Sequence, residues 1–454
     1  MALFEARDCF QTYMTKLRFL LPSILGILVF LTPISWEGQT TIGIGVVTGW
    51  LKSLMGDYGL HVLVVLMVTT SLLTVLGTTF RVGWIHRNVE SKNLFAVPVH
   101  WLLFRRIGMV FGLIYFFQFG PELLKSEDIG GAVFVGIGTN VIAVYISACI
   151  LLPLLTEFGL MEFVGTLARP LFQRVFQLPG RAAIDAVTSF VGASAIGLLI
   201  TIGQYNRGVY TGREASVIAT NFSIVSLPFS LVVAAVSGIE RYFIPWYGVV
   251  ILACLVAALI TPRLPPLSRK ADNYCATAPV AEPENKFDSH TLLSEAWHRA
   301  LQRAAQAPGV RDFFATGMTN LMFFLFSVVS AALALATIAA LVIFHTPIFS
   351  WLGSPFIGIL EFAGLPEAAN AAPALFSGFL DQYMPAIAAA SIDSNTTSFV
   401  LAGLSVCQLI FMSEVGVIIL RSSLPISITE LLVIFLLRTM IVLPILVIGA
   451  HLVV

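Results

Sequence analysis

Between Arg311 and Arg421 the chain contains no Lys and no Arg, although Glu361, Glu367, Asp381, Asp393 and Glu414 all fall in that interval. Charge is scarce everywhere: 11% of residues are charged, against about 25% in water-soluble domains. The formal net charge is zero, which argues against a nucleic-acid partner, since phosphate binding needs an excess of Lys and Arg. The five cysteines (Cys9, Cys149, Cys254, Cys275, Cys407) form no Cys-x-x-Cys pair and no metal-ligand spacing, so disulfides, structural zinc and other metal sites are not expected. No His-Glu-x-x-His or nucleophile elbow occurs, and nothing points to enzyme catalysis. Gly43-Ile44-Gly45 with Gly49 lacks the Gly-Lys-Ser/Thr of a phosphate loop and reads as close helix packing.

What the chain has is apolar length. Hydrophobic residues make up 57% of it, so lipid or other buried helices must cover most of its surface. A helix needs about 20 residues to cross the hydrocarbon core. Nine crossings are expected, at 17–35, 60–80, 101–120, 131–155, 214–237, 245–262, 313–345, 397–420 and 425–450. The stretches 42–56, 157–177, 181–204 and 347–392 are too polar, short or broken to be ordinary spans and read as interfacial or re-entrant. Arg7, Lys16 and Arg18 precede the first apolar run without a small-residue cleavage site, which marks an uncleaved helix. With the N-terminus in the cytoplasm, all but Lys52, Lys125, Arg241 and the mid-span Arg438 of the 25 Lys and Arg lie on the cytoplasmic side, as the positive-inside rule requires.

The order of elements repeats. A crossing (131–155), a surface helix (157–177), a broken polar stretch (181–204) and two crossings are followed, after residue 312, by a crossing (313–345), a surface stretch (347–363), a broken polar stretch (366–395) and two more. The broken stretches open alike, with Leu178-Pro179-Gly180 and Leu365-Pro366-Glu367. Arg169 and Arg174 place the first surface helix in the cytoplasm. Trp351 and Phe356, with no basic residue nearby, place the second at the outer interface. Such units form an inverted-topology repeat, a transporter architecture with its site at the midplane. From Pro179 to Gly192 is about a dozen residues, or roughly 18 Å of helix, enough to reach mid-membrane and turn back. Re-entrant hairpins with tips at Gly192 and Gly378 are therefore expected, one from each side. The chain divides into an N-terminal scaffold region (1–125), a first unit (126–262), a cytoplasmic linker with an amphipathic helix (263–312) and a second, inverted unit (313–454). Leu293, Trp297, Leu301 and Ala304 give that helix an apolar face, which suits either the membrane surface or the protein.

Ionisable groups within a membrane persist only where they face protein or water. Asp381 and Glu414, with Ser413, are the candidates for proton or cation coupling. A proton site would need a carboxyl that loads and releases its proton; a sodium site would surround a charged carboxylate with oxygens. Ser189, Ser194, Asn221, Ser223, Gln382 and Gln408 are the candidates for binding a polar solute. Thr188, Thr220, Ser226 and Ser405 line the same stretches, and Pro228 breaks its crossing and frees a carbonyl near Ile224. Asp185 can instead pair with Arg181 across i, i+4. Arg438 needs a charge partner: Glu430, Glu414, Asp381 or a substrate carboxylate.

Leu178-Pro179-Gly180, Tyr210-Thr211-Gly212-Arg213-Glu214-Ala215, Ala219-Thr220-Asn221-Phe222-Ser223 and Met412-Ser413-Glu414-Val415-Gly416 resemble the YjiH-like membrane proteins of bacteria. These belong to the nucleoside-recognition Gate-domain group, with the spore-maturation membrane proteins and the ferrous-iron permease core. The resemblance covers roughly 130–450. It implies the architecture of concentrative nucleoside transporters: two opposed hairpins, a driving cation, an elevator-like movement and a bacterial cytoplasmic membrane. The permease's cysteine-centred gate has only Cys407 as a counterpart. The expected function is coupled transport of a nucleoside, amino acid or short peptide, with Na+ or H+ as the coupling ion and no other cofactor. A non-transporting scaffold or assembly factor is the alternative, and either is compatible with a homo-oligomer.

Overall fold

The computed structural model describes residues 2–30, 32–36, 39–191, 194–225, 227–275, 292–413 and 415–454. The fold is helical, apart from one antiparallel ribbon of Pro33–Trp36 and Gln39–Ile42 that joins the first helix, Ala2–Phe30, to the second, Gly43–Met55. Among the described residues, six stretches are long and apolar enough to cross a membrane: Tyr13–Phe30, Gly43–Thr78, Glu122–Thr156, Glu240–Arg263, Val310–Val342 and Ile428–Val453. Val99–Phe117 adds a helix of 19 residues that carries Arg105 and Arg106.

The other two expected crossings are broken. The stretch 214–237 consists of Gly212–Asn221 and Leu227–Val236. The stretch expected as one helix over 397–420 is instead Asn395–Cys407 and Val415–Arg421, with non-helical chain from Gln408 to Ser413. Leu409 there adopts a left-handed φ of 59°. A broken helix thus follows 182–206 and another follows 368–390. Glu122–Thr156 and Val310–Val342 each contain a widened π segment, Glu127–Gly138 in one and Phe324–Val329 in the other. In the first unit Thr139 and Asn140 donate back to the carbonyls of Val135 and Gly136, within that segment.

Residues 182–206 form a helical hairpin. Gly197 lies so close to Ser189 that a Cβ would overlap the serine hydroxyl, and Asp185 hydrogen-bonds Thr201. The pairs 189/197 and 185/201 share one antiparallel register, so the two arms run side by side. The expected tip, Gly192, lies outside the described residues. The second hairpin is built from short helices, Ala368–Ala371, Ala374–Ser377 and Met384–Ala390. Continuous arms are prevented by Pro373 and Pro385, which cannot donate within a helix. Its base is closed by Glu367, which accepts from the backbone N–H groups of Asp393 and Ser394 (both 3.1 Å), and by Thr397 donating to the Pro366 carbonyl (2.7 Å).

The amphipathic helix Leu292–Ala305 packs on protein. Its buried seam is Ala296, Ala300 and Ala304, an i, i+4 row of small residues, whereas Leu293 is exposed. Small side chains permit close approach: Ala300 backbone fills the space that a Cβ on Gly159 would occupy. Trp297 stacks edge-on against Phe19 at 5.4 Å. Arg303 pairs with Glu157 and Glu162, and Glu295 with Arg169 and Arg299. The linker helix therefore ties Ala2–Phe30 to the surface helix Leu160–Leu171, which leads into the first hairpin.

Candidate functional site

The two broken helices end at one side chain. Gly212–Asn221 starts on a capping box between Thr211 and Glu214 and stops at Asn221. Asn395–Cys407 starts on the Ser394 cap and stops at Cys407. Arg438, fully buried on the last helix, donates from Nη1 to Asn221 Oδ1 at 2.7 Å, and from Nε and Nη2 to the Cys407 carbonyl at 3.2 and 2.8 Å. Each helix C-terminus carries roughly half a negative charge from its unpaired carbonyls. Two of them together help to offset one guanidinium, to which no carboxylate is bonded among the described residues.

Among the described residues the expected acidic partners bond elsewhere. Glu430 caps its own helix through Ser427 and pairs with Lys270 at 2.7 Å. Asp381 bonds elsewhere, as described below, and Glu414 lies outside the described residues. A buried carbonyl left bare by a helix break must find a hydrogen-bond donor, but no residue letter announces it.

The second hairpin docks on the second break through backbone. Met412 N–H donates to the Phe379 carbonyl (2.8 Å) and Ser413 N–H to that of Leu380 (3.0 Å). Beside this seam Asp381 is buried, accepts from Tyr383 N–H at 2.8 Å and hydrogen-bonds the Ser413 side chain. Gln408 Nε2 donates to the Leu375 carbonyl (2.8 Å) and to Thr439 Oγ1 (3.0 Å), next to Arg438. Gly378 is needed for space, because a Cβ would overlap Gln408 Oε1. Gln382 Oε1, Gln408 Oε1 and Ser405 Oγ are buried polar atoms with no hydrogen-bond partner among the described residues. Buried acceptors left unmatched cost about 1–3 kcal/mol each. Asp381, Gln382 and Gln408 are thus oxygen donors suited to a cation or to a solute rich in N–H and O–H groups.

Gly378, Asp381, Gln382, Gln408, Ser413, Asn221 and Arg438 are therefore gathered around the two breaks. Ser223 follows Asn221 but spends its hydroxyl on the Ala219 carbonyl. Ser189 belongs to the first hairpin and donates to the Asp185 carbonyl at 3.1 Å. Ser194 begins the second arm of that hairpin. Leu198 from the first hairpin, Phe222 from the first break, and Ile410, Phe411 and Val415 around the second share one apolar cluster. Asp185 does not pair with Arg181, which is exposed; its Oδ2 accepts from Tyr210 OH at 2.8 Å. The sequence reading missed Thr439, the Cys407 carbonyl and the Tyr210–Asp185 bond. Of these only Tyr210 carried a signal, as part of the Tyr210–Ala215 motif.

A family model described as Gate, nucleoside recognition, matches residues 139–240, which contain the first hairpin and Asn221. An uncharacterized protein of Alkalihalophilus pseudofirmus is 41% identical over 445 residues, covering 98% of this chain and 96% of its own. The chain belongs to the nucleoside-recognition Gate family. Two solved structures of CNTnw are also similar. One, in an outward-facing state, has a TM-score of 0.41 at 13% identity over 97% of this chain and 100% of that one. The other, in the intermediate 1 state, has a TM-score of 0.41 at 15% identity over 97% and 99%. Gate membership and the six long apolar helices among the described residues make this a multi-pass membrane protein.

Proposed function

We propose that the protein is a secondary active transporter that moves a small polar solute, a nucleoside, amino acid or short peptide, across the bacterial cytoplasmic membrane by an elevator-like movement coupled to Na+ or H+. The observation that carries this reading is the docking of the second hairpin tip on a helix break beside buried Asp381. Irregular backbone at membrane depth is tolerated only where protein or a water-filled cavity satisfies it. Here it is joined by unmatched acceptors on Gln382 and Gln408, which a bound solute or ion would satisfy. On this reading 1–125 is the scaffold, 126–262 and 313–454 are opposed units with re-entrant hairpins, and 263–312 is the cytoplasmic linker. Glu414 joins Asp381 and Ser413 in coupling.

A non-transporting scaffold is the second reading. It is favoured by the closed packing of the site, in which Asp381, Gln408 and Arg438 are at most 4% exposed. A thermal-shift screen of purified protein against nucleosides, amino acids and dipeptides separates the two. A ligand at 100 times its Kd stabilises by about 2.7 kcal/mol, so a transporter's solute should raise the melting temperature. If no solute does so and proteoliposomes accumulate none, the scaffold reading stands. The opposed orientation has its own expected outcome. Cysteine at Lys92 should be labelled only from the cytoplasm and at Lys125 only from outside; labelling of positions 207 and 350 from the same side would contradict the inverted repeat.

A further inference from the structure

A groove opens at one end of the last helix, and its walls include none of the residues gathered around Asp381. It encloses about 430 Å³ between Pro265, Pro266, Arg269, Lys270, Glu430 and Val433. The first four belong to the segment that follows Phe243–Ile260, where Thr261–Arg263 and Leu267–Arg269 are short turns anchored by buried Leu267. Glu430 and Val433 lie in the first two turns of Ile428–Val453, which is long and apolar enough to cross a membrane. That helix starts on a capping box at Ser427 and Glu430 and becomes continuously apolar from Leu431. The groove therefore sits where a spanning helix enters the membrane.

The cations near the groove differ in what holds them. Lys270 pairs with Glu430 at 2.7 Å and donates to the Pro425 carbonyl. Arg263 donates to the carbonyls of Leu259 and Val175, and Arg213 pairs with Asp272 at 3.7 Å. Arg269 is exposed and has no hydrogen bond or ion pair among the described residues. With Glu430 neutralised by Lys270, the groove keeps one uncompensated positive charge. Its other side is apolar. From Val433 a row of Leu437, Met440 and Pro444 continues at i+4, i+7 and i+11, half-buried at Leu437 and exposed at the other three. An outward-facing apolar row on a spanning helix meets acyl chains.

We infer that the groove binds an anionic membrane phospholipid, its phosphate on Arg269 beside Lys270 and an acyl chain along Val433, Leu437 and Met440. A guanidinium matches the geometry of phosphate oxygens, and basic pockets beside spanning helices at the membrane surface take anionic headgroups. Free phosphate shares the contact with Arg269 but gains nothing from the apolar row. A zwitterionic lipid shares the row but brings its own cation to the basic end. Bound there, the lipid bridges the 263–270 segment to the helix that carries Arg438.

Native mass spectrometry of the full-length protein in detergent, titrated with phosphatidylglycerol or with phosphatidylcholine of the same chains, tests the site. Wild type should bind phosphatidylglycerol the more tightly. Arg269→Gln should lower that affinity about five-fold, the worth of one basic residue at an anionic surface, and leave phosphatidylcholine binding unchanged. Arg269→Lys should keep most of the preference, and lipid-free melting temperatures should match wild type in both variants. Arg207, an exposed arginine just after the first hairpin, supplies the control: Arg207→Gln should bind both lipids as wild type does. Val433→Ser should weaken both lipids; unchanged binding would overturn the placement of the acyl chain. Equal binding of the two lipids by wild type, or undiminished phosphatidylglycerol binding in Arg269→Gln, would overturn the site. An equal loss in Arg207→Gln would overturn it too, in favour of diffuse surface charge. Stabilisation by millimolar inorganic phosphate as large as that by phosphatidylglycerol would overturn the lipid as occupant. None of these readouts depends on transport.

Discussion

Replacing Arg438 with methionine is expected to lower the melting temperature sharply and to abolish uptake. The substitution strips hydrogen bonds from the Cys407 carbonyl and Asn221 Oδ1 at once. A neutral interhelical bond in a membrane protein is worth only about 0.6 kcal/mol on average, too little to matter alone. Here the donor is charged, the site is dry and two helix ends lose their shared partner, so a loss of roughly 2–5 kcal/mol is the better comparison. Lysine, a point charge without the planar fork, should rescue only part of it. Asn221→Asp should be tolerated because it turns the bond into an ion pair, whereas Asn221→Ala should cost about 1–2 kcal/mol. Thermal melts of the four variants test the hub; a wild-type melt for Arg438→Met would refute it.

Asp381→Asn should have the opposite profile, leaving the fold nearly intact while eliminating driven uptake. Asparagine can still accept from Tyr383 N–H and bond the Ser413 hydroxyl, so the hairpin should remain docked on Met412 and Ser413. What it removes is the negative charge. A bond to a charged group is worth about 1.5–3 kcal/mol, which corresponds to roughly a ten- to hundred-fold loss in affinity for a coupling cation. Glu414→Gln should weaken coupling in the same sense. Concentrative uptake unchanged in both variants would reduce the two acids to structural hydrogen-bonders.

The architecture was legible because membrane burial writes itself into composition. Apolar runs marked the long helices that the structure shows. The partners of individual side chains were less legible. Arg438 was expected to find a carboxylate because charge pairing is the rule visible in sequence; among the described residues its partners are Asn221 and the Cys407 carbonyl. Gln408–Ser413 was expected to be helical because its residues are ordinary helix formers; its unwinding is stabilised by the hairpin backbone, a tertiary partner. Asp185 was assigned to Arg181 on spacing, but solvent holds that arginine and Tyr210 holds the acid. The linker helix was read by its large apolar residues, whereas close packing selected the alanine seam.

Transport against a gradient is the measurement closest to the central claim. Purified protein in liposomes, with an imposed inward Na+ or H+ gradient, should accumulate the solute found by thermal shift above its external concentration. Collapse of the gradient should stop accumulation in the wild type, and Asp381→Asn should not accumulate at all under either gradient. Accumulation that is equal in Asp381→Asn and wild type, or no accumulation of a solute that binds the wild type tightly, would contradict the account.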